Sequence, residues 1–204
     1  MSGQVRDLVA IGASAGGVEA LRYLLGRLPV ALPATVFVTV HRPPASASGL
    51  AAVLGRAATL PVREPADRER FRPRTIYLAP SDHHMVVCKD RLHRLRTPKQ
   101  HHTRPAIDPM MTSLAEAYGA RVIGVLLTGN LSDGVAGLVA IKAADGLSLV
   151  QDPEEAVFSS MPRNALLYDH VDLVFRLEVA HAIITALVRG ETIESIQRGG
   201  RTAS

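Results

Sequence analysis

Short apolar runs alternate along the chain with segments of helical period, the pattern of an α/β domain with a mostly parallel sheet. Leu8-Val9-Ala10-Ile11 predicts a buried first strand ended by glycines. Val18, Leu21, Leu24, Leu25 and Leu28 follow at helical spacing, and Pro29 stops that helix. Thr35 to Val40, β-branched and aromatic, predicts a second strand that Pro43-Pro44 forbids from continuing. Thr75 to Leu78 reads as another strand. Met85 to Cys88 and Leu92 to Leu95 flank Lys89-Asp90-Arg91 as a peripheral β-hairpin. Further on, the pattern predicts a helix over Ile107 to Tyr118, a strand over Val122 to Leu127 and a helix over Gly134 to Ala144. Strands at Leu147 to Val150 and Val171 to Phe175 and a helix from Val179 to Val188 complete the set. The expected architecture is a doubly wound α/β sheet with helices on both faces. It forms one domain over residues 5–190, and the polar segment 191–204 is expected to fray.

Composition narrows this little. At 204 residues, 47% apolar and 21% charged, the chain is an ordinary globular one. The single cysteine, Cys88, excludes an internal disulfide and fits a reducing, cytoplasmic compartment. No apolar run approaches the roughly 20 residues of a membrane span, and Asp7 and Gly12 bracket too few apolar residues for a secretory signal. The formal charge of +4 is concentrated: residues 63–104 hold eleven Lys/Arg against five Asp/Glu, and five of the eight histidines. A basic balance fits nucleic acid, an anionic surface or an acidic protein partner. The stretch has no aromatic interleaving and no nucleic-acid module, so no nucleic acid is expected. Its histidines lack metal-ligand spacing and Cys88 has no partner, so no metal is expected.

Candidate chemistry sits at strand ends. Gly12-Ala13-Ser14-Ala15-Gly16-Gly17 joins the first strand to the first helix. Such a turn suits an exposed nucleophilic serine, a nucleotide-binding turn or a plain helix cap. The dinucleotide fingerprint fails, because Ser14 occupies the middle glycine and His41, not an acid, ends the second strand. No Tyr-x-x-x-Lys pair and no Lys after Gly17 are present. His41 would reach the edge that carries Ser14, and imidazole suits proton removal from serine near neutral pH. Asp133, in Leu127-Thr-Gly-Asn-Leu-Ser-Asp-Gly134, leaves a third strand end, where a carboxylate would orient that imidazole. Together the three read as a hydrolytic triad. Their order, Ser-His-Asp, is not that of an α/β-hydrolase.

Over about Leu8 to Val188 the chain resembles the catalytic domain of the chemotaxis protein-glutamate methylesterases, the CheB family. The matching segments are Val9-Ala-Ile-Gly-Ala-Ser-Ala-Gly-Gly17, Val40-His-Arg-Pro-Pro44, Ile76-Tyr-Leu-Ala-Pro-Ser-Asp-His-His-Met85, Arg104-Pro-Ala-Ile-Asp108, Leu127 to Gly134 and Met161-Pro-Arg163. The resemblance implies Ser14 as nucleophile, His41 as general base and acid, and Asp133 as orienting carboxylate. It implies hydrolysis of glutamate γ-methyl esters on the cytoplasmic helices of chemoreceptors, deamidation of receptor glutamines in some members, and no cofactor. Ala15, Gly16 and Asn130 are the candidate oxyanion and substrate contacts. The family pattern has Thr-Gly-Met-Gly where this chain has Thr128-Gly129-Asn130-Leu131, and often Thr or Ser at Ala15. The family's usual receiver domain is not expected here, since the catalytic segment starts at Leu8. A catalytically silent receptor-binding adaptor and, further off, a nucleotide-binding oxidoreductase are the alternatives.

Overall fold

The structure, a computed structural model, describes residues 4–42, 49–168 and 171–201. In chain order its elements are β1 (Leu8–Ala13), α1 (Gly17–Leu25), β2 (Thr35–Val40), α2 (Leu50–Ala57), β3 (Val62–Arg63), β4 (Glu69–Arg70), β5 (Ile76–Leu78), β6 (His84–Cys88) and β7 (Arg91–Leu95). They continue as α3 (Ile107–Tyr118), β8 (Val122–Leu126), α4 (Val135–Ala143), β9 (Leu147–Gln151), α5 (Ser160–Leu166), β10 (Leu173–Phe175), α6 (Leu177–Val188) and α7 (Ile193–Arg201). Pro43-Pro44 lies outside the described residues.

Seven parallel strands form the central sheet in the order β10-β9-β8-β1-β2-β5-β3. The inner strands are apolar at nearly every position because both faces are covered, as parallel sheets require. Alternation along β1 divides the core: Val9, Ile11 and Ala13 pack with α1, α2 and α6, while Leu8 and Ala10 pack with α3, α4 and α5. The sheet is therefore doubly wound, as the periodicity predicts. Its winding direction reverses at β1, which has β2 on one side and β8 on the other. Open α/β sheets bind ligands at such a switch point.

The expected hairpin is β6–β7. Its turn is the pair Lys89-Asp90, both left-handed at φ 47° and 62°, and Arg91 already pairs with Cys88. Backbones of this hand match strand twist in a tight hairpin. β4 joins it as a third antiparallel strand, and Met85, Val87 and Leu92 bury its inner face against the α3 side of the core.

Three helices depart from the sequence reading. α2 buries only Leu54, too little for its period to show. α5 carries Pro162 in its first turn, where the missing N–H costs no intrahelical bond. Within the segment 191–204, expected to fray, the described residues form α7 over Ile193–Arg201. Thr192 and Ser195 exchange side chain-to-backbone hydrogen bonds as a reciprocal cap, and Ile193 and Ile196 pack on the core.

Candidate active site

Register brings the three strand ends together. Ala13 pairs with Val40 and Gly12 with Leu126, so the chain leaves β1, β2 and β8 at one edge beside Ser14, His41 and the 127–134 loop. Gly16 turns left-handed (φ 74°) to start α1, a conformation that costs an L side chain but not glycine. The N–H of Ser14 is held by Thr128 O at 3.0 Å, and its carbonyl accepts from Gly17 N at 2.9 Å. The backbone is thus fixed without use of the hydroxyl. No side chain caps α1, which removes the helix-cap reading of Ser14.

The Ser14 hydroxyl lies 2.9 Å from His41 Nδ1, and His41 Nε2 lies 2.6 Å from Asp133 Oδ2. A carboxylate only accepts, so Nε2 carries the proton and Nδ1 presents its lone pair to the serine. The imidazole therefore works in the opposite sense to the Ser–Nε2, Asp–Nδ1 relay of chymotrypsin-like enzymes. Its side chain is 19% exposed, whereas that of Asp133 is fully buried.

Asp133 does not cap its own helix. Its Oδ2 also accepts from Ile107 N at 2.7 Å, and its Oδ1 from Asp108 N at 3.0 Å, both at the start of α3. Asp108 returns the arrangement: its Oδ1 accepts from Gly134 N at 2.9 Å and Gly137 N at 2.7 Å, at the start of α4. Each helix is thus capped by a carboxylate from the other's first turn or approach. Burial raises the Asp133 carboxyl, but the hydrogen bonds from His41, Ile107 and Asp108 outweigh it and hold the group below its ordinary range. Asp108 is pushed up, first by burial and then by the charge of Asp133.

The remaining expected contacts lie at the rim. Among the described residues, the backbone N–H groups of Ala15, Gly16 and Asn130 have no protein acceptor, which leaves them available to an oxyanion. Gly129 packs directly on the nucleophile: a Cβ there would stand 2.7 Å from Ser14 Cβ. Leu131, where the family pattern has glycine, is left-handed at φ 67° and 62% exposed. Ser160 Oγ takes its N–H and Asn164 Nδ2 donates to its carbonyl, so two side chains of α5 hold the strained backbone.

The sequence reading missed Asp108 and His101, whose Nε2 lies 2.8 Å from Asp108 Oδ2. An aspartate in a helix's first turn reads as an ordinary end charge, and nothing local shows its partners 26 and 29 residues away. His101, Asp108 and Asp133 are also the described residues whose donor atoms come within 4.8 Å of one another. Their oxygens are already engaged by backbone N–H groups and imidazoles, the signature of a hydrogen-bond network.

The family model for CheB methylesterase matches residues 9–184. This chain belongs to the CheB methylesterase family. A CheB relative from Photorhabdus laumondii, named protein-glutamate methylesterase/protein-glutamine glutaminase, is 36% identical over 191 residues, covering 91% of this chain and 54% of its own length. One of the same name from Pyrococcus abyssi is 34% identical over 199 residues, covering 96% of this chain and 53% of its own. This chain thus spans about half the length of these curated relatives. The crystal structure of the Thermotoga maritima CheB methylesterase catalytic domain superposes with a TM-score of 0.85 at 30% identity, covering 91% of this chain and all of that one. Among the described residues, no helix is long and apolar enough to cross a membrane.

Proposed function

We propose that this domain, taken as residues 5–190, is a serine hydrolase that demethylates glutamate γ-methyl esters on the cytoplasmic helices of chemoreceptors and deamidates receptor glutamines. The unbroken Ser14–His41–Asp133 relay, at 2.9 and 2.6 Å, carries this reading. Ser14 Oγ attacks the ester carbonyl while His41 Nδ1 takes its proton. The buried Asp133 charge stabilises the imidazolium, and the N–H groups of Ala15, Gly16 and Asn130 receive the developing oxyanion. His41 returns the proton to the departing methoxide, and methanol leaves. Water, deprotonated by the same nitrogen, then releases glutamate from Ser14. With a glutamine substrate ammonia leaves in place of methanol, and the second step is unchanged.

The test is methanol release from a methylated receptor fragment, wild type beside Ser14→Ala. Release by the wild type and none by the variant is the expected result. Tight binding of the fragment by wild type without any release would replace the hydrolase with an adaptor.

A further inference from the structure

The mechanism uses Asp133 and leaves a second histidine–carboxylate pair beside it unexplained. We propose that His101 is a positioning residue of the triad, which keeps Asp108 a pure hydrogen-bond acceptor so that Asp133 gives its charge undivided to His41. The inference rests on Ser14, His41 and Asp133 being the catalytic relay.

Asp108 and Asp133 are two buried carboxylates that share one imidazole neighbour: His101 Nε2 stands 2.8 Å from Asp108 Oδ2 and 3.9 Å from Asp133 Oδ1. Asp108 Oδ1 is satisfied by the Gly134 and Gly137 amides, but its Oδ2 has His101 as its one partner among the described residues. Apart from His41 on Asp133, no other basic side chain among the described residues reaches either carboxylate. His84 of β6 spends Nδ1 on the Ala106 amide and Nε2 on the Pro98 carbonyl, and burial pushes its titration down. The first turn of α4 contributes only backbone N–H groups. Arg104 is turned away onto Asp82 and the Arg96 and Thr97 carbonyls.

Without His101, Asp108 Oδ2 would be buried and unpaired beside a second negative charge, which favours uptake of a proton. The new hydroxyl would need an acceptor, and Asp133 Oδ1 lies 3.9 Å from the position that Nε2 fills. A hydroxyl donated there competes with His41 for the same carboxylate. His101 prevents this by supplying an N–H that Asp108 can only accept. The side chain is about one-third exposed, so it can be replaced without opening the core.

The experiment measures two quantities on the intact chain: phosphonylation of Ser14 by a fluorophosphonate, and the low-field proton resonance of the short His41–Asp133 hydrogen bond. His101→Ala is expected to slow phosphonylation about tenfold to a hundredfold, the scale of one charged hydrogen bond, and to move the resonance upfield. His101→Gln, which restores an N–H at similar reach, recovers both. Asp108→Asn reproduces the loss, and adding His101→Ala to it changes nothing further. Wild-type rate and resonance in His101→Ala, or additive losses in the double variant, would overturn the proposal. If the wild type were not phosphonylated while the resonance still moved in His101→Ala, the hydrolase reading would fail and the positioning role would stand.

Discussion

Gly129 offers the sharpest test of the site's geometry, because a single methyl group there meets the nucleophile. Its φ is not left-handed, so alanine would bring no backbone strain and its effect would be purely steric. The added Cβ would lie 2.5 Å from Met161 Cε and 2.7 Å from Ser14 Cβ. The methionine tip can swing aside. Ser14 cannot, because its N–H is tied to Thr128 O, while Gly129 is itself tied to Phe158 O and Met161 N. Carbon atoms normally approach to about 3.5–4.0 Å, so Ser14 or the loop must shift by about 1 Å. A displacement of that size at a reacting atom costs on the order of 10²-fold in rate. The overpacking should cost about 1–3 kcal/mol of stability, and each kcal/mol lowers Tm by roughly 2–4 °C in a domain of this size. Methanol release and Ser14 phosphonylation, measured well below the variant's Tm, separate the two effects. A folded Gly129→Ala with the wild-type rate would refute the claim that this contact sets the position of the hydroxyl.

Asp133→Asn should lower the rate by about 10³–10⁴-fold, since an amide cannot hold the imidazole in the required tautomer. The folded-state carboxyl lies below its ordinary range, so its contribution to stability is present above that range and lost as pH falls through the folded value. Urea titrations at decreasing pH should therefore show a steeper acid loss in wild type than in the variant, and parallel curves would contradict this. The Tyr118 phenol is raised from 10.0 to about 12, first by burial and then by its hydrogen bond to Asp90. The folded state holds that proton longer, so stability should fall between these two values. Ultraviolet titration should show late tyrosine ionisation that Tyr118→Phe reduces by one group, Tyr77 remaining because burial raises its phenol too. Arg70 and Arg91 are cross-strand partners on the small sheet, an opposition of like charges that an acidic partner would relieve. Affinity for a receptor fragment should fall with added salt, and less so in Arg70→Ser with Arg91→Ser; salt-independent binding would remove the small sheet from the interface.

The strands of the central sheet were legible because burial on both faces leaves uninterrupted apolar runs, as in Thr35–Val40. Ser14, His41 and Asp133 were legible for a related reason. A parallel sheet delivers every strand's carboxyl end to one edge, so position along the chain becomes position in space. Elements with little apolar surface escaped, as α2 with only Leu54 buried shows. Local sequence misled at the helix starts, where Ser14 and Asp133 look like caps for the helices that follow them. Neither caps its own helix. Asp108 and His101 could not be found by period or motif, since their work is done across 26 or more residues of chain or against a group that is itself buried.

The exchanged capping of α3 and α4 also bears on how the site fails. The first amides of a helix normally exchange freely with solvent, but those of Ile107, Asp108, Gly134 and Gly137 are held by buried carboxylates. Releasing the carboxylate that aligns His41 frees the first amides of α3, and α3 in turn carries the Asp108 carboxylate that holds the start of α4. These two helix starts and the Ser14–His41–Asp133 relay should therefore behave as one cooperative unit, and slow exchange of those four amides relative to the amides of exposed loops is the expected result. A sheet edge that looks like a set of loops is, in energetic terms, tied into the starts of two helices.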